Sequence, residues 1–332
     1  MATHITLLVM YKYLKIIRWP NLLIVPFTMI LMRYCIIKPI LDYQYSIQLG
    51  ELVTLQLSGI YFTILILINV LQGAAGYVIN DYFDRKIDNI NRPDEVIVDR
   101  SLPRRHAIVY HSVLNALAIL LAAVFAWHFG RISILLFYLM ISGLYWLYST
   151  TYKKQLLVGN IVVALVTASI PIQEGIFECA ELARAYGIDI IAKGLTFKPI
   201  LYWTAGFAFF AFLTNLIREI VKDMEDVEGD CYCGCDTLPI HFGMRISKVV
   251  VVSLFLLMIA SLLAAYQLFL HDFLTLTYIS ALLIAPSCAA AFMTIRASEV
   301  KHYKRISALI KIVMVLGGLY SVLASQIIQF VV

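Results

Sequence analysis

Residues 61–88 read YFTILILINVLQGAAGYVINDYFDRKID. From Tyr61 to Ile79 nothing carries a charge, whereas Asp81, Asp84, Arg85, Lys86 and Asp88 follow within eight residues. An uncharged run of this length spans the ~30 Å hydrocarbon core of a bilayer as an α-helix rising 1.5 Å per residue. The charged cluster then marks where the helix leaves that core. A lipid-facing barrel strand would be shorter and would alternate apolar with polar residues, and this stretch does neither.

The rest of the chain repeats the pattern. Of 332 residues, 61% are hydrophobic and 14% charged, against about 25% charged in soluble domains. That excludes a soluble globular enzyme, a disordered chain and a disulfide-rich secreted module. Nearly charge-free stretches fall at residues 20–39, 54–79, 107–128, 132–150, 156–173, 199–217, 249–270, 274–294 and 308–330. They predict an all-α integral membrane protein, a nine-transmembrane-helix bundle forming a single domain over residues 1–332. Arg33 lies near the far end of the first span, where its side chain could snorkel to the interface. The loop 174–198, with Glu174, Glu178, Glu181 and Asp189, is expected to form a short amphipathic helix outside the membrane. The apolar run Ile5–Met10 is too short for a secretory signal, and Lys12, Lys15 and Arg18 follow it, so no cleaved signal peptide is expected.

Nine spans divide the connecting segments between two sides, and 20 of the 26 Lys and Arg residues fall on one of them. The positive-inside rule therefore predicts a multi-pass protein of the inner (cytoplasmic) membrane, with its N-terminus and charged loops in the cytoplasm. The net charge of +5 follows from this sidedness and does not point to nucleic acid.

Two segments on the charged side match. The second span runs into Asn80-Asp81-Tyr82-Phe83-Asp84-Arg85-Lys86-Ile87-Asp88, and the sixth into Lys222-Asp223-Met224-Glu225-Asp226-Val227-Glu228-Gly229-Asp230. Both carry Asp at i, i+3 and i+7, positions that fall within about 60° of arc on a helix. Clustered carboxylates resist joint ionisation unless cations neutralise them. Hard oxygen ligands of this kind suit Mg2+, which shares its shell with phosphate oxygens. Two such stripes with two Mg2+ would make a diphosphate clamp. Six carboxylates, a diphosphate ester and two Mg2+ leave a charge of about −5, which calls for basic neighbours. Arg18, Arg85, Lys153, Arg218 and Lys222 lie on the same side.

These motifs resemble the two signatures of the UbiA superfamily of intramembrane prenyltransferases. Asn91-Arg92-Pro93 followed by Arg100-Ser101-Leu102-Pro103 is similar to the family's loop after the first motif, with Ser101 where Pro is usual. Tyr148-Ser149, Lys153 and Gly159-Asn160 resemble its fourth and fifth helices, and Arg18-x-Pro20-Asn21 its first-helix entry. The resemblance covers roughly residues 11–325. It implies a nine-helix bundle around a central cavity, and Mg2+-dependent prenyl transfer from an isoprenyl diphosphate to a lipophilic acceptor, with membrane lipid around it. Carried over by position, Asp81, Asp84, Asp88, Asp223, Asp226 and Asp230 would hold Mg2+. Asn80, Arg85, Lys153, Arg18, Lys222 and Arg218 would bind the diphosphate. Many members that prenylate aromatic acceptors have Tyr where this chain has Glu219. Arg218-Glu219-Ile220-Val221-Lys222-Asp223 is more similar to the branch that alkylates geranylgeranylglyceryl phosphate.

The chemistry expected is ionisation of the allylic C–O bond, charge developing on the diphosphate, and capture of the allylic cation by the acceptor. Glu219 or Tyr148 would take the proton or orient the acceptor. Tyr77, Tyr145, Trp146, Tyr148 and Tyr152 stand near helix ends on the charged side, where they could face the cation or form an interfacial belt. Two other functions compete. Prenylation of an aromatic quinone precursor is one. A membrane cation or organic-anion transporter is the other, and it would place its acids near the bilayer midplane. Here they lie at one face. Gly73-x-x-Gly76 is a close-packing or kink candidate. Cys231, Cys233 and Cys235 have single-residue spacing, unlike a zinc knuckle.

Overall fold

The computed structural model describes residues 11–330. The run Ile5–Met10 lies outside the described residues. Among those described, nine helices are long and apolar enough to cross a membrane: α1 (Trp19–Leu49), α2 (Gly59–Asn91), α3 (Arg104–Phe129), α4 (Ile132–Thr150), α5 (Val158–Ala192), α6 (Lys198–Glu225), α7 (Gly243–Leu270), α8 (Phe273–Arg296) and α9 (Val300–Gln329). The only β pairing among them is an isolated bridge between Val98 and Leu102. Each of the nine expected spans has its helix. Several helices run past the apolar stretch that announced them, because hydropathy marks the lipid-facing length and not the hydrogen-bonded one. Large apolar side chains such as Trp127, Leu268 and Phe269 are exposed, as befits a surface solvated by lipid tails.

Two compact units divide the chain. One gathers the residues up to Pro26, Gly59–Val163 and Asp226–His241. Here α2 packs on α3 and α4 through small residues and polar cross-links. A Cβ on Gly76 would stand 2.8 Å from Tyr145 Cδ1, so only glycine admits that ring. A Cβ on Gly73 would stand 3.1 Å from Leu22 Cδ2, tighter than ordinary contact, making Gly73-x-x-Gly76 a close-packing site. Gln72 Nε2 donates to the Tyr138 carbonyl (2.7 Å) and to Ser142 Oγ (2.9 Å), which itself donates to Asn115 Oδ1 (2.7 Å).

The other unit comprises Phe27–Ser58, Ala164–Glu225 and the residues from Phe242 onward. Its core packs Met32, Ile36, Ile40 and Leu41 against Leu182, Ile200, Tyr320 and Ala324. Gly175 leaves room for Thr204, whose Oγ1 would lie 2.6 Å from an added Cβ. Two expectations fail in this unit. Residues 174–192 do not form a loop with a separate helix, because α5 continues unbroken to Ala192. Arg33 does not snorkel: it is buried, within a π-helical segment of α1. Both departures have one cause. Arg33 Nη1 donates to Glu174 Oε1 (3.1 Å) and Glu178 Oε2 (3.3 Å), and its Nη2 to the Leu57 carbonyl. Glu178 also accepts the backbone N–H groups of Gln56 and Leu57. Glu174 and Glu178 are one helical turn apart, so both reach a single guanidinium. The charges that suggested a solvated loop pair with one another inside the protein, Arg33 offsetting part of the charge of the two acids.

Candidate functional site

The polar end of α2 assembles within the first unit. Asn80, Asp81, Asp84, Arg85 and Asp88 all lie on this one continuous helix, as their spacing predicts. Arg18 enters just before α1, with its backbone in the left-handed region at φ 50°. That conformation is unfavourable for a non-glycine residue and persists where surrounding contacts hold it. Its guanidinium lies 2.9 Å from Asp81 Oδ1 and above the Tyr77 ring, 5.3 Å from the centroid. Burial alone would lower the Arg18 pKa, but Asp81, Tyr77 and Asp88 outweigh it and hold the value above the ordinary one.

Lys153 sits on the 3-10 turn Tyr152–Lys154 after α4 and pairs directly with Asp84. Asn80 Nδ2 donates to the other oxygen of that carboxylate at 2.6 Å. The turn is held from two directions. A Cβ on Gly159 would stand 2.8 Å from Lys153 Cα, and Asp236 N donates to the Lys154 carbonyl at 2.9 Å. Arg85, expected among the diphosphate ligands, pairs with Asp99 of the following loop.

The second motif does not stay on one helix. α6 ends at Glu225, Asp226 immediately precedes the short helix Val227–Tyr232, and Asp230 lies within that helix. The three aspartates therefore do not form a continuous helical stripe. Asp226 and Asp230 belong to the same unit as the first motif, and Arg92 Nη2 lies 2.6 and 2.7 Å from the two Asp226 carboxylate oxygens. Asp230 is buried. Arg218, Glu219, Lys222 and Asp223 stand on α6 in the other unit. There the buried Glu219 accepts from Arg218 (2.8 Å) and Lys222 (3.3 Å). Tyr148 is half-buried near the end of α4. Of the three cysteines, Cys231 is exposed and Cys235 buried. Burial and then Asp230 push the Cys235 thiol up to about 11, against the pull of Lys153.

In the first unit the acids Asp81, Asp84 and Asp226 are each held by a basic side chain. No group of three acidic, His or Cys side chains converges as a ready-made metal cage among the described residues. The donor set nevertheless fits a hard divalent cation. It offers carboxylate oxygens together with Asn80 Oδ1, a buried acceptor with no hydrogen-bond partner. Sequence reasoning missed the part played by Asn91 and Arg92, which stand one turn beyond Asp88. Their signal was an Asn-Arg pair at the mouth of an acidic helix.

Comparison with known proteins agrees with this architecture. The sequence profile of the UbiA prenyltransferase family matches residues 50–315. The chain is 33% identical over 309 residues to the digeranylgeranylglyceryl phosphate synthase of Methanothermobacter thermautotrophicus, covering 92% of this chain and 93% of that protein. With the synthase of the same name from Methanosphaera stadtmanae it shares 28% identity, over 93% and 97% of the two chains. A solved digeranylgeranylglyceryl phosphate synthase structure superposes with a TM-score of 0.60 at 21% identity, over 94% of this chain and 98% of that one. A UbiA homologue from Archaeoglobus fulgidus, solved with DMAPP and Mg2+, has the same fold at a TM-score of 0.52 and 17% identity, over 94% and 99%. The chain belongs to the UbiA prenyltransferase family.

Proposed function

We propose that this protein is a Mg2+-dependent prenyltransferase of lipid biosynthesis. It transfers a geranylgeranyl group from its diphosphate to the free hydroxyl of geranylgeranylglyceryl phosphate. The observation that carries this reading is the acidic end of α2, where Asp81 and Asp84 already meet Arg18 and Lys153. Near full-length similarity to relatives named digeranylgeranylglyceryl phosphate synthase supports the choice of acceptor. The whole chain, residues 1–332, acts as one catalytic domain. Its acidic helix ends face the cytoplasm, in keeping with the distribution of Lys and Arg.

Asn80, Asp81, Asp84 and Asp88, with Asp223, Asp226 and Asp230, would hold two Mg2+. When bound, the metal supplies a Lewis acid that offsets charge on the diphosphate. Arg18 and Lys153, with Arg218 and Lys222, carry the positive charge that stabilises the departing diphosphate. The prenyl C1–O bond breaks, and its electron pair leaves with the diphosphate. The acceptor oxygen then bonds to C1 and passes its proton to the released diphosphate, a base that the reaction itself supplies. Tyr77 and other aromatic side chains near the site lend π-density to the allylic cation. Both Glu219 oxygens are engaged by Arg218 and Lys222. That side chain therefore suits holding those two cations better than removing a proton.

The test is to incubate purified protein with geranylgeranyl diphosphate, Mg2+ and either geranylgeranylglyceryl phosphate or 4-hydroxybenzoate. Inorganic diphosphate is measured and the lipid product is identified by mass. The digeranylgeranyl ether is expected, together with loss of turnover in Asp81→Asn and in Asp223→Asn. Near-normal turnover in both variants, or product only with 4-hydroxybenzoate, would overturn the reading.

A further inference from the structure

The first and second aspartate motifs are far apart in sequence, and α6 breaks between the first and second aspartates of its motif. Something must fix Asp226 and Asp230 once the helix that would have carried them has ended. Asn91, the last residue of α2, meets this need with both ends of its side chain. Its Oδ1 accepts the Gly229 N–H at 2.8 Å, and its Nδ2 donates to the Asp226 carbonyl at 3.0 Å. The amide therefore spans the backbone of the segment that bears both aspartates. Gly229 is shaped to this contact: a Cβ there would stand 2.6 Å from Asn91 Nδ2 and 2.8 Å from its Cγ and Oδ1. Arg92, the next residue, holds the Asp226 carboxylate itself.

The two residues do different work. Arg92 binds the carboxylate, so it competes with any cation that Asp226 would ligate. Asn91 binds only backbone, so its grip survives when the carboxylate changes partner. We infer that Asn91, seated on Gly229, is a positioning residue that holds the Asp226–Asp230 segment beside the first motif, and so sets how readily the site takes up its divalent cation. This rests on the prenyltransferase reading for the cation, but not for the grip.

Asn91→Ala removes both hydrogen bonds. Asn91→Asp keeps the acceptor for Gly229 and loses the donor, giving a milder variant should the first fold poorly. Gly229→Ala attacks the same contact from the other side. Two measurements decide the matter. In the first, hydrogen–deuterium exchange of the apo protein should quicken at residues 226–232 in Asn91→Ala; unchanged exchange there overturns the grip. In the second, the Mg2+ concentration giving half-maximal diphosphate release should rise about tenfold in Asn91→Ala, the size expected of lost buried hydrogen bonds, with turnover regained at saturating Mg2+. Gly229→Ala should reproduce that shift, and adding it to Asn91→Ala should produce little more. A purely structural role would lower yield and melting temperature while leaving the half-saturating Mg2+ where it was, and that result overturns the inference. A wild-type protein without Mg2+-dependent diphosphate release sinks the prenyltransferase reading instead, and the exchange comparison still judges the grip.

Discussion

Arg18 reaches across 63 residues of sequence to place Nη2 2.9 Å from Asp81 Oδ1. The pair is partly exposed, at 31% and 12%, so its contribution to folding is small, about 1 kcal/mol or less. In the prenyl transfer proposed above, its value lies in the charge it presents to the diphosphate. The guanidinium stays charged across the physiological range, held there by Asp81, Tyr77 and Asp88 against the effect of burial. Arg18→Ala should lower kcat/KM for the prenyl diphosphate by about 10²-fold, the loss expected when a charge-stabilising donor is removed. The melting temperature should change little. Arg18→Lys keeps the charge without the planar fork and should recover only part of the activity. Steady-state kinetics alongside thermal unfolding in detergent separates these effects.

The three closely spaced cysteines should differ sharply towards alkylating agents. Cys231 is exposed, whereas Cys235 is buried and its thiol is raised from about 9 to about 11 by burial and Asp230. A thiolate is the reactive form, so at pH 8 Cys235 carries about a hundredfold less of it than an ordinary thiol. Timed labelling with iodoacetamide, read by mass spectrometry, should modify Cys231 well before Cys235. The sign for stability follows. Above pH 9 the unfolded chain releases a proton that the folded one retains up to about 11, so folding weakens as pH rises through that window.

Gly76 and Gly206 offer a matched pair on membrane helices. A Cβ on Gly76 would stand 2.8 Å from the Tyr145 ring, while one on Gly206 meets nothing within 4 Å. Gly76→Ala should therefore cost about 1–3 kcal/mol through forced repacking of α2 against α4. Gly206→Ala should be neutral or slightly stabilising, because alanine restricts the unfolded chain. Melting temperatures of the two variants in the same detergent check this. Equal effects would mean that α2 and α4 are not in such close contact.

The spans and the first motif were legible in the sequence because each rests on a short-range rule. Charge-free length gives a helix its membrane crossing, and i, i+3, i+7 spacing puts Asp81, Asp84 and Asp88 on one face of α2. Where the reading failed, the deciding contact was remote in sequence. The second motif's spacing matches the first, yet the chain turns at Asp226, where Asn91 and Arg92 grip it from 135 and 134 residues away. Glu174 and Glu178 looked like loop residues because carboxylates in hydrocarbon are costly. No local pattern announced that Arg33, 141 and 145 residues away, would pair with both.

That buried triad yields the most severe prediction for stability. Arg33, Glu174 and Glu178 have side-chain exposures of 4%, 0% and 0%. Glu178 is the better supported acid, since two backbone N–H groups and the guanidinium all donate to it. Glu174 receives only the guanidinium on Oε1, and its Oε2 is buried with no hydrogen-bond partner. Arg33→Leu would leave two acids without their counter-charge and remove the donor to the Leu57 carbonyl, at a cost of about 3–5 kcal/mol. Glu174→Gln keeps an acceptor for Arg33 and removes one excess negative charge, so it should cost no more than about 1 kcal/mol. Glu178→Gln should cost more than Glu174→Gln, because its oxygens serve the backbone of Gln56 and Leu57 as well as Arg33. Thermal unfolding of the three variants in detergent should rank them Glu174→Gln, Glu178→Gln, Arg33→Leu from mildest to worst. A well-folded Arg33→Leu protein with an unchanged melting temperature would show that these charges do not depend on one another, and that α5 extends past residue 173 for some other reason.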